Sequence, residues 1–294
     1  MPLIPLQIPA GVYRNGTDFQ GSNRWRDANL VRWVEGTMRP VRGWEDRVSL
    51  GSAAPRGALS WQDTSSDRWF AAGFHDSLVV STESNITTDI TPADLTVGSL
   101  DAAIETGFGG GFYGLGFYGT ERSDTGNYAE ATTWSLDNFG SWLVACSTAD
   151  GRLLEWQLDT GADAAPITNA PTGNLGLMVT EERFLFALGA GGNPRLVQWC
   201  DRENNQLWTP AATNEAGDIE LQTSGQIMQG IRTRGQSLII TDTDAHSATY
   251  IGGQFVYGFQ RVGSSCGAIS RKAAAAVDEG VFWMGQRGFF TYSG

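Results

Sequence analysis

The sequence predicts an all-β chain, and three observations carry that expectation. Short runs of β-branched and aromatic residues recur along it between Gly, Asp, Asn and Pro, as in Ser237-Leu238-Ile239-Ile240-Thr241. The composition agrees, since 38 Gly, 11 Trp and 14 Phe among 294 residues supply tight turns and sheet-filling aromatics. Apolar residues at the 3.6-residue spacing of an amphipathic helix are nearly absent. Ala273-Ala274-Ala275-Ala276 is the one run that tempts a helical reading, and its continuation into Val277 and a turn makes it a strand. The stretch 196–259 states the pattern most fully. It holds a turn over 198–210 anchored by Trp199 and Trp208, then a polar segment with Gly217 and Gly225. After these come the 237–241 strand, a short Asp/His link, and strand-like pieces near 250–252 and 255–259.

Taken in order, the leader carries Pro2, Pro5 and Pro9, which exclude helix and favour an extended arm. Such an arm packs on a neighbouring subunit or frays. Leu30, Arg32 and Val34 then alternate with Val31 and Trp33 as in a strand. Glu35-Gly36 makes the turn, and 37–41 returns toward Gly43-Trp44. Residues 1–56 therefore form an extended N-terminal arm and an Arg/Trp-rich hairpin. From Gly57 four short strands follow at 57–61, 68–73, 77–81 and 85–92. A second unit has strands at 132–136, 141–146, 153–157 and 166–168, and a third at 177–179, 183–188 and 195–199. The fourth has 229–231, 237–241 and the pieces near Tyr250 and Phe255; the fifth runs from Ala273 through 280–285 and 288–292.

Four short strands in succession, as in the first unit, and units of like kind following, the last three at roughly 40–50-residue spacing, are the pattern of propeller blades. Residues 57–294 are accordingly expected to be β-propeller-like repeats of short antiparallel strands. The last repeat breaks off incomplete, and an open blade leaves a bare sheet edge. On that ground the chain is expected to be a fragment, a processed product, or a subunit whose ring is completed elsewhere. Between the first two units, 107–120 is a Gly/aromatic tract without the strand-and-helix context of a phosphate-binding fingerprint. It reads as a loop, either a partner-docking or lipid-touching tip or one packed on its own subunit.

Charge narrows the function classes. The net charge is -12, yet up to Arg56 eight Arg face five acids, so that +3 there leaves -15 on the remainder. A body this acidic is a poor general binder of nucleic acid, which needs dense Lys and Arg. Interleaved Arg and Trp in 24–33 can stack on bases, but ordinary Arg-over-Trp packing accounts for them equally. The charged fraction of 18% fits either a partner-covered surface or a polar, uncharged sheet surface. Cys146, Cys200 and Cys266 lack any Cys-x-x-Cys spacing and read as buried thiols.

His75 and His246 stand apart from any Ser or Cys nucleophile pattern. Asp242, Asp244 and His246 alternate, so a strand would put them on one face where a cation could bind; a polar loop explains them without one. Ser147 to Gly151 with Trp156 faintly resembles a sialidase Asp-box, and an Asp-Gly hairpin suffices for it. No catalytic residue, metal ligand or cofactor is therefore expected. The N-terminus lacks the basic start and apolar run of a signal peptide, and no window reaches membrane-spanning length. The protein is expected to be made in the cytoplasm and to stay soluble.

Several segments carry a resemblance. Ile8-Pro9-Ala10-Gly11-Val12, the segment Trp25-Arg26-Asp27-Ala28-Asn29-Leu30-Val31-Arg32-Trp33, and Pro40-Val41-Arg42-Gly43-Trp44 resemble the start of tailed-phage structural proteins. So do the Gly-Tyr/Phe tract, the Trp199-to-Trp208 turn with Thr209-Pro210 and Ala216-Gly217, and the closing strands from Gly280 to Tyr292. The class they resemble is the tail nozzle (tail tubular protein B-like) of short-tailed phages. That resemblance implies a non-enzymatic virion tail protein with a β-propeller-like body. It also implies a homo-oligomeric ring, a hexamer, below the head-to-tail connector. DNA would pass through it without specific binding, and no stable membrane association is expected.

The docking face toward neighbouring tail or connector proteins would be Arg24, Trp25, Arg26, Arg32, Trp33, Arg39, Arg42 and Trp44. Acids on turns between units, Asp150, Asp159, Asp163, Asp201, Glu203, Asp218 and Glu220, are candidates for the lumen wall. The competing reading is a carbohydrate-binding or glycan-cleaving propeller used in host recognition. That would need paired carboxylates or an Arg cluster in the central funnel.

Overall fold

The computed structural model describes residues 9, 11–14, 16–17, 19–21, 24–41, 43, 46–51, 53–102 and 130–294. Among these, every regular element except two single 3-10 turns is a β-strand. The leader before Pro9, Arg42, Trp44 and the 107–120 tract lie outside the described residues. The chain divides into two units, Met1–Arg47 and Val48–Gly294.

The first unit is built on a hairpin of β1 (Val31–Val34) and β2 (Thr37–Pro40). Glu35 and Gly36 both have left-handed backbone, with φ of 49° and 74°. That geometry matches the right-handed twist of the flanking strands, and the Gly supplies it without a Cβ penalty. The alternation in the sequence thus becomes the hairpin it predicted. Trp25 packs on Trp33 with ring centroids 6.2 Å apart, and Val12 bridges to Trp25.

Among its described residues the second unit holds five antiparallel sheets. The first holds β3 (Gly57–Gln62), β4 (Arg68–Gly73), β5 (Leu78–Thr82) and β6 (Thr87–Asp89). The second holds β7 (Trp134–Phe139), β8 (Trp142–Ser147), β9 (Leu154–Trp156) and β10 (Ala165–Pro166). The third has β11 (Gly176–Val179), β12 (Leu185–Leu188), β13 (Leu196–Trp199) and β14 (Gly217–Glu220). The fourth has β15 (Ile227–Thr233), β16 (Gln236–Thr241), β17 (Asp244–Tyr250) and β18 (Tyr257–Ser264). The fifth has β19 (Ala274–Val277), β20 (Gly280–Gly285) and β21 (Gly288–Tyr292). Each sheet is a meander in chain order, and the first strands β3, β7, β11, β15 and β19 adjoin one another in series. The sheets are therefore propeller blades with their first strands innermost.

The core lies between blades because side chains alternate along a strand and each blade buries a face against the next. Trp61, Ala71 and Val80 of the first blade meet Trp134, Ala145 and Leu154 of the second. Val144 and Cys146 meet Leu177, Leu185 and Ala187 of the third. Phe186, Val197 and Trp199 meet Ile227, Ile239 and Tyr257 of the fourth. Ile231, Leu238 and Ile240 meet Val281 and Trp283 of the fifth. Buried indoles find acceptors, as Tyr and Trp tips must: Trp199 Nε1 donates to the Glu215 carbonyl at 2.9 Å and Trp208 Nε1 to that of Asn205 at 2.6 Å. Residues 48–56 join the blades rather than the hairpin, since Leu50 and Ala53 pack on Ala72, Phe74 and Val79.

Three details depart from the sequence expectation. The polar segment around Gly217 is a strand, β14, pairing Leu196 with Glu220 and Gln198 with Asp218. As an outermost strand it buries little, so its apolar period is too weak to read. Asp218 and Glu220 consequently sit on a strand and not on a turn. The expected Asp/His link is mostly β17, where Asp244, His246 and Ser247 are buried polar residues in a strand interior. Residues 251–256 form the connection to β18 instead, through a 3-10 turn at Gly253–Phe255.

Close packing of innermost strands makes a first prediction. A Cβ on Gly57 of β3 would lie 2.6 Å from the Trp134 carbonyl oxygen and 2.8 Å from its Cβ. Gly57→Ala is therefore expected to destabilise by about 1–3 kcal/mol, although Gly→Ala stabilises by a few tenths or more where there is room. Urea denaturation of the two proteins reads the sign.

Candidate functional site

Arg32 on β1 stands directly opposite Arg39 on β2, and Trp33 opposite Met38. Directly opposed residues share one face of a hairpin, so two guanidiniums project together from one side and the Trp33–Trp25 pair from the other. Both Arg32 and Arg39 are exposed and have no hydrogen-bond or ion-pair partner among the described residues. Arg24 lies over the Tyr13 ring, 5.6 Å from its centroid, and Arg26 follows Trp25. Arg14 pairs with Asp27, and that hydrogen bond holds the Asp27 carboxyl below the usual range.

The seven acids fall into different settings. Asp150, in the β8–β9 connection, is enclosed and accepts Arg152 Nε at 2.8 Å, while Arg152 Nη1 reaches Asp94 at 2.7 Å. Asp201 accepts the Glu215 amide at 2.8 Å and so folds the long β13–β14 connection. Glu203 faces Arg183 at 3.8 Å, and Glu220 pairs with Arg195. Asp159, Asp163 and Asp218 are exposed and have no cationic partner among the described residues. Asp159 and Asp163, in the β9–β10 connection, line a cavity of about 330 Å³ with Glu155, Gln157 and Gln206. None of the seven stands on an innermost strand.

The acid on an innermost strand is Asp137 of β7, which sequence reasoning missed. It is buried and accepts the Val179 amide of β11 at 2.8 Å and Arg232 Nη2 of β15 at 2.9 Å. Burial raises its pKa and outweighs the opposing pull of Arg232. Near the other end of β7, Arg271 donates to the Ile227 carbonyl at 2.9 Å and lies 3.5 Å from Glu130. Asp137 and Arg232 tie the innermost strand of the second blade to that of the fourth, past β11 of the third. Arg271, in the β18–β19 connection, holds Glu130 of the segment before β7 to the Ile227 carbonyl of β15. An acid between Leu136 and Phe139 in a strand that opens on Trp134 was the available signal; its partner 95 residues away was not visible.

The chemistry weighed in the sequence takes this form. Asp244 Oδ1 accepts Thr223 at 2.8 Å and Thr241 at 2.5 Å and lies 3.1 Å from His246 Nε2, while Asp242 accepts the Gln226 amide at 3.0 Å. The three alternating residues are divided between two hydrogen-bonded groups. Among the described residues no group of three or more His, Cys, Asp or Glu is placed to hold a metal ion. The three cysteines are free and buried, and burial pushes the Cys146 and Cys200 thiols up to about 12. Glu155 is taken up by Gln157 at 2.8 Å and by Asn205 from the β13–β14 connection. No helix among the described residues is long and apolar enough to cross a membrane.

No protein-family model matches the sequence, and no curated protein matches it. Among solved structures, the chain is similar to the N-terminal part of BBS1 in complex with ARL6, at 12% identity and a TM-score of 0.47, covering 87% of this chain and 68% of that one. It is also similar to a streptogramin B lyase at 7% identity and a TM-score of 0.41, covering 90% and 75%. Virginiamycin B lyase from Staphylococcus aureus follows at 9% identity and a TM-score of 0.36, covering 78% and 77%. The propeller assignment rests on the chain's own strand order and the series of innermost strands.

Proposed function

We propose that this protein is a non-enzymatic structural component of a bacteriophage tail, a nozzle-type ring protein whose copies surround the DNA ejection conduit. The observation that carries the reading is the division of charge between an Arg-bearing hairpin unit and an acidic propeller. Residues 1–47 hold seven Arg and five acids, a net +2, which leaves -14 on 48–294. A hairpin whose opposed arginines have no partner among the described residues calls for an acidic protein surface, and an acidic propeller offers DNA few fixed cations to replace its counterions. The resemblance of the Trp25–Trp33 segment and of the Trp199–Trp208 turn to nozzle proteins supports the same reading. Because the Asp137–Arg232 pair joins the innermost strands of the second and fourth blades, the conduit in this proposal runs between copies and not along a propeller axis.

Electron microscopy of the purified protein tests the proposal. Rings of several copies around an open centre are expected, with each propeller in the wall. Monomers with nothing but a closed propeller would count against it. In phage particles, deletion of residues 1–47 is expected to leave a folded propeller that no longer enters the tail; normal incorporation would refute the docking role of the hairpin.

A further inference from the structure

The Arg32–Arg39 pair is energetically unexplained among the described residues of its own unit. Like charges directly opposite one another destabilise a hairpin, and neither guanidinium has a counter-charge among the described residues. Such a pair suits a partner that brings two carboxylates, which Arg forks take up with defined geometry. Of the seven acids of the propeller loops and outer strands, Asp150, Glu203 and Glu220 already face Arg152, Arg183 and Arg195. Asp201 accepts the Glu215 amide and Asp159 the Gly161 amide of its own turn at 2.9 Å, each through one carboxylate oxygen. Asp159, Asp163 and Asp218 have no cationic partner among the described residues. Asp159 and Asp163 stand four residues apart in one connection, exposed, and line one cavity with Gln157 and Gln206.

We propose that the β1–β2 hairpin of one copy docks on the β9–β10 connection of a second copy, with Arg32 and Arg39 facing Asp159 and Asp163. The contact joins two different surfaces, so repetition propagates around a ring when the rotation closes. It rests on the proposed ring and names the surface that would hold it. Charge complementarity selects the occupant: the hairpin unit is net positive, and the propeller it meets carries -14.

The test is the oligomeric state of the full chain by analytical ultracentrifugation at low and high salt. An oligomer at low salt that dissociates as salt is raised is expected, because exposed charge pairs are screened. Arg32→Glu with Arg39→Glu is expected to weaken association about tenfold or more, and Asp159→Arg with Asp163→Arg likewise. The protein carrying all four substitutions is expected to recover it. Circular dichroism of each variant confirms the strand content, so that loss of association is not loss of fold. A monomer at low salt, including one whose hairpin sits on its own propeller, overturns the proposal. So does an oligomer indifferent to the charge reversals, or a four-fold variant that fails to recover. Rings that persist through the reversals leave the nozzle reading standing and remove this contact. A salt-sensitive dimer that obeys the reversals keeps the contact and removes the nozzle reading.

Discussion

Trp134→Ala is expected to lower the unfolding free energy by about 3–5 kcal/mol, the largest single effect foreseen in this chain. The indole is fully buried at the start of β7, between the first and second blades. Gly73 clears the space the ring fills, and Gly57 lies against the Trp134 carbonyl and Cβ. Truncation leaves a cavity the two sheets cannot close without moving their innermost strands, and it strands the Phe74 carbonyl, which now accepts Trp134 Nε1 at 2.5 Å. Urea denaturation should show a lower midpoint at unchanged slope. Trp134→Phe, which retains most of the volume but not the donor, should lose less. Equal stability of the Ala variant and the parent would mean that these two blades do not pack through this residue.

The second large effect concerns Asp137 and Arg232. Removing the cation by Arg232→Ala leaves a buried carboxylate without its counter-charge. Breaking a fully buried pair costs about 3–5 kcal/mol. Arg232 is 45% exposed, so water screens the pair and the expected loss falls to about 1–3 kcal/mol. The pH dependence has a definite sign. Burial raises the folded pKa of Asp137 above its ordinary value, so the folded state holds this proton more tightly than the unfolded chain. The stability it contributes is therefore fully present at low pH and is lost as pH rises through that raised value.

Asp137→Asn keeps an acceptor for the Val179 amide and removes the titration. The difference in stability between parent and Asp137→Asn, followed from about pH 4 to pH 7, should move against the parent as pH rises. A difference moving the other way would show that Arg232 dominates over burial. Taking the difference cancels carboxyls such as Asp94, which the Arg152 hydrogen bond holds low and whose slope has the opposite sign.

The strands were legible because each is a local object. A half-buried strand alternates, and a turn needs Gly, Asn or Asp at fixed places, so β3 to β6, β7 to β9, the β1–β2 hairpin and the Ala-rich β19 all follow from residues a few positions apart. Their grouping into blades followed from repetition at a steady spacing. Legibility failed where burial and polarity part company. β14 is polar because it lies outermost, and β17 hides Asp244 and His246 because Thr223 and Thr241 of neighbouring segments donate to Asp244, which in turn meets His246. The turn around Trp208 was evident as a turn, but not that it carries Asn205 onto Glu155 and Trp208 into the core beside Val144 and Leu153.

The same division runs through the candidate site. The sequence alone determined that the N-terminal segment is basic and the rest acidic, since charge is counted without geometry. Only the tertiary structure decided which charges remain available. Side chains tens of residues apart meet when strands and blades assemble: Arg152, which also holds nearby Asp150, reaches Asp94 from the segment after the first blade, the pairing of β13 with β14 brings Glu220 to Arg195, and Asp137 of the second blade meets Arg232 of the fourth. It leaves Asp159, Asp163 and Asp218 facing water. A carboxylate already bound to a guanidinium has little left to offer a partner, and pairing across blades is a property of packing that no local pattern encodes.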